Sequence, residues 1–220
     1  MIGREINLLS RYPKTIRNVD YRNEIKTEES RRIARKFGFD YFDGDRNHGY
    51  GGFSYHPRFW TDVIHDLIAT YGLTNASSVL DVGCAKGFFL YDLAKALPGI
   101  KYAGVDISEY ALANSLLEVR ENLFLGNAMN LDFPDKSFDL VISINTIHNL
   151  NRQGCKKALS EIQRVSKKNA FITVDAYRND IEKERMEAWN LTALTMMSDI
   201  EWKAFFIEAG YEGDFFWFIP

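Results

Sequence analysis

The stretch VLDVGCAKGFFL, residues 79–90, constrains this chain more than any other, because it passes from one apolar run through small residues directly into a second. The first run reads as a buried strand and the second as the start of a helix, so residues 83–87 must turn the chain sharply. Glycine supplies positive φ and lets the backbone approach a ligand, and the free amides and dipole of the helix start favour an anionic or electron-rich group. Ligands of open α/β sheets bind at the carboxyl ends of the strands, where this turn would lie. The junction therefore predicts a ligand contact.

From residue 78 onward short apolar runs alternate with helical periodicity, the pattern of an α/β fold with a mostly parallel central sheet and helices on both faces. Strands are expected at 78–82, 101–106, 122–125, 138–144, 170–175 and 214–219. Helices are expected at 87–97, 108–120, 152–166, 180–196 and 199–209. Pro98 and Gly99 stop the first helix, and Ser198 with Glu201 makes a capping box for the last, which ends at Gly210. The last strand carries Phe215, Phe216, Trp217 and Phe218 in succession, so both of its faces must be covered. With 220 residues, 46 % of them hydrophobic, one domain with a sizeable core is expected.

Before residue 78 the pattern differs. A charged helix is expected at 27–37, and Trp60, Val63, Ile64, Leu67, Ile68 and Tyr71 share one helical face that should pack on the sheet. Between them, DYFDGDRNHGYGGFSYHPRF is dense in glycine and aromatics. Residues 1–77 thus read as a helical and Gly/aromatic cap on the same domain, and residues 78–220 as its core.

A net charge of −3 and a pI near 5.9 leave no basic field for a phosphate backbone, so no nucleic-acid partner is expected. The start, MIGREINLLSRYPK, is charged where a signal peptide is apolar, and no segment approaches the roughly 20 uncharged residues of a membrane span. A cytoplasmic protein is expected. Cys84 and Cys155 make no metal or redox spacing.

Spacing narrows the ligand. The glycines of the turn are Gly83 and Gly87, which fails the GxGxxG of a dinucleotide site, and the GxxxxGK of a phosphate loop is absent. Instead Asp81 stands two residues ahead of Gly83. A carboxylate there repels phosphate and attracts a cationic group such as an α-ammonium. DVGCAKG resembles the first motif, DxGxGxG, of the class I, Rossmann-like methyltransferases that use S-adenosylmethionine, and the resemblance runs from about Ser78 to the end of the chain. It implies a donor turn of Asp81, Gly83, Cys84, Ala85 and Gly87. It also implies that Asp106, 25 residues after Asp81, binds the ribose hydroxyls beside Ile107. Asn127 and Ala128 would hold the adenine, and Asn145 would follow the fourth strand at the donor. Two positions depart from the pattern. Ala85 replaces a usual glycine, which is tolerable at negative φ, and Asn127 replaces a usual Asp but keeps a carbonyl oxygen for the adenine amino group.

Such a donor carries an activated methyl, so the protein must align two substrates and, for a hydroxyl acceptor, remove a proton. His148, just past the fourth strand, is the leading candidate base, with a loop-shaping role as the alternative. Asp175, ending the fifth strand, could be a base, a metal ligand or a satisfied loop acid. Asp43, Asp45 and His48 form a local group of ligand-type side chains, but Gly44 and Asn47 beside them make a solvated turn the better reading, and no metal is assigned.

The segment HGYGGFSYHPRFW reads as a flap over the active site, with Tyr50, Phe53, Tyr55 and Trp60 as flat surfaces and Arg58 as a planar fork for carboxylate or phosphate. Tyr177 and Trp189 join Tyr50, Tyr55 and Arg58 as acceptor-side candidates. The insertion RMEAWNLTALTMMS, with Leu191, Leu194, Met196 and Met197, suits an acceptor pocket, plain core or a homodimer face equally well. The acceptor is expected to be a small, polar and anionic molecule. The GYGGF and GYEGDFFWF stretches are similar to methyltransferases of bacterial surface-polysaccharide clusters, which implies O-methylation of a sugar or nucleotide-linked sugar. The alternatives are N-methylation of a small amine and a non-catalytic S-adenosylmethionine-binding partner subunit.

Overall fold

The computed structural model describes residues 2–14, 17–50 and 54–220. Helices α1 (Val19–Ile25), α2 (Glu28–Ala34), α3 (Phe39–Phe42) and α4 (Thr61–Tyr71) precede the sheet. There follow β1 (Ser78–Val82), α5 (Phe88–Ala96), β2 (Lys101–Asp106), α6 (Glu109–Ala113), β3 (Leu123–Leu125), β4 (Phe138–Ile144) and α7 (Arg152–Val165). The chain continues through β5 (Ser166–Tyr177), α8 (Asp180–Trp189), β6 (Met197–Ser198), α9 (Asp199–Ala209) and β7 (Asp214–Phe218).

Among the described residues the strands form one sheet in the order β3-β2-β1-β4-β5-β6, with β7 also paired to β5, and every pairing is parallel. The chain's start completes the edge. Glu5 bridges Phe215, and the Arg4 side chain grips the Asp214 carboxylate at 2.7 Å. Alternation along β1 explains the layers. Val79 joins the cluster containing Ile64 and Leu67 of α4 and Leu90 and Leu93 of α5, whereas Leu80 and Val82 join Ile162 of α7 and Phe206 of α9 on the opposite face. β7 is covered the same way, with Phe215 and Trp217 packed on one side and Phe216 on the other.

Helix ends follow their local chemistry. Gly72 closes α4 and Gly210 closes α9 in left-handed conformations, and Ser198 and Glu201 make the full capping box. Several expected elements have other extents; the helix expected at 27–37 runs only Glu28–Ala34. α6 stops at Ala113 because Asn114 and Ser115 turn their side chains back to the carbonyls of Tyr110 and Leu112. α8 stops at Trp189, where Asn190 folds its amide onto Ala193. β5 begins at Ser166 rather than 170, a polar start through Lys167, Lys168 and Asn169. Among the described residues no helix is long and apolar enough to cross a membrane.

Candidate active site

β1 and β2 lie side by side, with Asp81 opposite Gly104 and Asp106 one residue beyond the pair Val82–Val105. Both acids therefore reach the carboxyl edge of the sheet, where the chain leaves β1 for α5. Gly83 (φ 89°) makes that exit, and a Cβ there would overlap the Thr146 side chain beyond β4. Gly87 (φ 77°) caps α5. Cys84 lies in the core with its sulfur facing Gly104, and burial pushes its thiol well up.

The turn is fastened by Asp106. One carboxylate oxygen accepts the Ala85 amide at 2.7 Å and the other the Ser108 amide at 2.8 Å. Burial nevertheless raises the Asp106 carboxyl. Ile107 beside it is 58 % exposed. Ala85 has φ 47°, which corrects the expectation of negative φ: this position takes the left-handed conformation that glycine favours, held by the Asp106 bond. Asp81 is buried, and no described residue donates a hydrogen bond to its carboxylate. Burial, then the charge of Asp106, pushes its pKa up to about 8.

Past β4, Asn145 (φ 52°) bonds Thr173 of β5 through both its amide and its side chain. The next turn, Ile147–Asn149, carries His148 into the interior. Its Nδ1 accepts the backbone amide of Asp175 at 3.0 Å, and its Nε2 is 3.6 Å from the Asp175 carboxylate. Its Nδ1 lone pair is therefore occupied by that amide. Burial lowers the imidazole and raises the Asp175 carboxyl. Asn127 turns its carbonyl oxygen to the Met129 amide at 2.9 Å, so one lone pair is spent locally, and Ala128 packs against the core.

The expected acceptor residues divide. Tyr50 and Trp189 come together, stacked at 5.7 Å between centroids, with Arg22 over both rings and the Leu191 amide donating to the Tyr50 hydroxyl. The others go elsewhere. Tyr55 donates to Asp92 of α5 at 2.6 Å, Arg58 is exposed on the Phe59 ring, and Tyr177 turns toward Glu201 and Lys183. Phe53 lies outside the described residues. Trp60 packs edge-on against Phe89 of α5. Asp43, proposed with Asp45 and His48 as a polar loop group, instead pairs with Lys86 of the donor turn at 2.7 Å and accepts from Tyr110. Asp45 caps its own turn at the Asn47 amide. Leu191 and Met197 of the insertion are buried and Leu194 is exposed.

Comparison with known proteins follows the same outline. Residues 80–174 match the methyltransferase domain family. An uncharacterized protein of Haemophilus influenzae is 34 % identical over 158 residues, 66 % of this chain and 62 % of that protein. Demethylmenaquinone methyltransferase of Symbiobacterium thermophilum is 35 % identical over 126 residues, 53 % of this chain and 49 % of the relative. The chain thus spans less than two thirds of the length of these relatives. The solved YcgJ protein of Bacillus subtilis superposes with a TM-score of 0.54 at 21 % identity, over 66 % of each chain, a likeness of fold. The sheet and its helices have the Rossmann-like methyltransferase fold.

Three neighbours of this site carried no sequence signal of their own. Tyr41 is partly buried; desolvation, then the fields of Tyr50, Asp106 and Asp175, push its phenol up. Arg17 and Arg22 flank Trp189 from the segment before and within α1. Only Tyr41 fell within the Gly/aromatic stretch that marked itself as unusual.

Proposed function

We propose that the protein transfers a methyl group from S-adenosylmethionine to a hydroxyl of a small polar acceptor, a sugar or nucleotide-linked sugar, releasing S-adenosylhomocysteine. The observation that carries this reading is the Asp81 carboxylate, buried at the donor turn without a donor of its own. A buried carboxylate in that state is stabilised by a cation brought to it, and an α-ammonium supplies both charge and hydrogen bonds. The other residues fit the same donor: Gly83 leaves the backbone bare, and each Asp106 oxygen keeps acceptor capacity for a ribose hydroxyl beyond its one amide.

When bound, the donor supplies an electrophilic methyl. The chain's own residues then have two tasks. Tyr41, Tyr50 and Trp189 shape an aromatic wall that excludes water and orients the acceptor. Asp175 takes the hydroxyl proton at its carboxylate, whose affinity for protons burial has raised, and His148 holds the Asp175 backbone in place. N-methylation of a small amine is the second reading, favoured by the occupied Nδ1 of His148, because a neutral amine needs no base.

The test is a mass-spectrometric screen of purified protein with S-adenosylmethionine and a panel of sugars, nucleotide sugars and small amines, scored for a one-methylene mass gain and S-adenosylhomocysteine release. Product from a sugar supports O-methylation; product from amines alone moves the function to N-methylation. Donor binding without product, together with a stable complex with a second protein, would favour a non-catalytic subunit.

A further inference from the structure

We propose that Arg17 binds an oxyanion of the methyl acceptor, a phosphate or a carboxylate, at the carboxyl edge of the sheet. This rests on the methyltransferase reading and names the chemistry of its acceptor side. The guanidinium carbon of Arg17 lies 4.6 Å from the Phe218 ring centroid and 5.7 Å from that of Trp189. Phe218 is the in-register neighbour of Asp175, so this cation stands beside the residue placed at the reacting hydroxyl.

Arg17 is half-buried, and burial lowers its pKa. Among the described residues no carboxylate comes within ion-pair distance of it and none of its N–H groups makes a hydrogen bond; Tyr12 and Asp175 act on it only through their charge. A guanidinium keeps its charge at physiological pH, and half-burying it with its donors unused is unfavourable. The two rings hold the guanidinium group and offset part of that cost. Its N–H edge stays open, a preorganised fork that matches two oxygens of one anion.

Its neighbours set it apart. Arg22 shares the Trp189 ring but spends its donors on the carbonyls of Arg46 and Gly49, so it holds the wall together. Arg58, the arginine that the sequence singles out, is exposed and rests on Phe59. The shared chemistry is an oxyanion; its two sources are the diphosphate of a nucleotide-linked sugar and the carboxylate of an acidic sugar.

The test is calorimetric titration of the full chain, donor-free and loaded with S-adenosylhomocysteine, with uridine diphosphate and with glucuronate as the two probes. The wild type is expected to bind at least one probe. Arg17→Gln should weaken it by about tenfold or more, the loss of a charge-assisted pair, while leaving S-adenosylhomocysteine affinity unchanged. Arg17→Lys, which keeps charge and stem but not the fork, should fall between and guards against a folding defect in the Gln variant. Binding of uridine diphosphate alone assigns a phosphate, and of glucuronate alone a carboxylate. The proposal is overturned if neither probe binds the wild type or if both variants bind as the wild type does. A wild type that binds a probe but not S-adenosylhomocysteine would overturn the methyltransferase reading and leave the anion site standing.

Discussion

The imidazole of His148 accepts the backbone amide of Asp175 at 3.0 Å through Nδ1, which leaves the proton on Nε2, 3.6 Å from the carboxylate of the same residue. One side chain thus holds the backbone of the residue proposed as the base and stands beside its carboxylate. His148→Ala should leave that buried amide unpaired and lower stability by about 1–3 kcal/mol, read by urea denaturation at pH 7. The sign with pH follows from burial, which holds the imidazole below its ordinary value. Below about pH 6.5 the unfolded chain binds a proton that the folded chain resists. The wild type's advantage over the Ala variant should therefore shrink as pH falls from 7 to 5. A gap that widens with acid would show instead that His148 is held protonated.

Asp81 predicts a pH dependence of donor binding with the opposite origin. In the donor-free protein its carboxyl titrates at about 8, so at neutral pH it must lose a proton before it can face an ammonium. Affinity for S-adenosylhomocysteine should rise from pH 6 to 8 by up to about tenfold per unit and level off above. Asp81→Asn should bind more weakly and without that slope. An equal slope in the variant would move the titrating group elsewhere.

The junction at the sheet edge was legible because strand, turn and helix start lie together within 79–90, and the runs 78–82, 101–106 and 138–144 are apolar enough to read as buried strands. Tyr50 and Trp189 were named from the sequence, but Arg17, Tyr41 and Phe218 join them only through the tertiary fold, so neither period nor spacing links the group. Tyr55 and Arg58 had the right chemistry for the flap but are taken by Asp92 and Phe59. Between the two readings of His148, base and loop shaper, the sequence could not choose, because the partner of its Nδ1 is a backbone amide that the sequence does not display.

Ala85 holds φ 47° with its amide tied to Asp106 at 2.7 Å. A left-handed non-glycine residue costs about 1–2 kcal/mol, and glycine's extra freedom in the unfolded chain takes back about 0.5–1 kcal/mol. Ala85→Gly should therefore stabilise the protein by up to about 1 kcal/mol in thermal unfolding and leave S-adenosylhomocysteine affinity within about threefold, because the Asp106 bond uses the backbone. A destabilised Gly variant would mean that the Ala85 methyl makes packing contacts worth more than the strain.

Lys86 and Asp43 join the donor turn to the segment that carries Tyr41 and Tyr50. The Lys86 ammonium lies 2.7 Å from both Asp43 oxygens and is almost fully buried, while Asp43 also accepts from Tyr110 at 2.7 Å. Lys86→Met keeps the stem packed and removes the charge, so the loss should fall on the pairing rather than on the core. Stability should drop by about 1–3 kcal/mol, and limited proteolysis should speed cleavage between residues 35 and 58. A double-mutant cycle with Asp43→Asn separates pairing from burial: with a shared bond, the two losses should fall short of additivity by about 0.5–3 kcal/mol. Additive losses would mean that Lys86 is held by the turn alone and that the cap is fastened through Tyr110 and the aromatic wall.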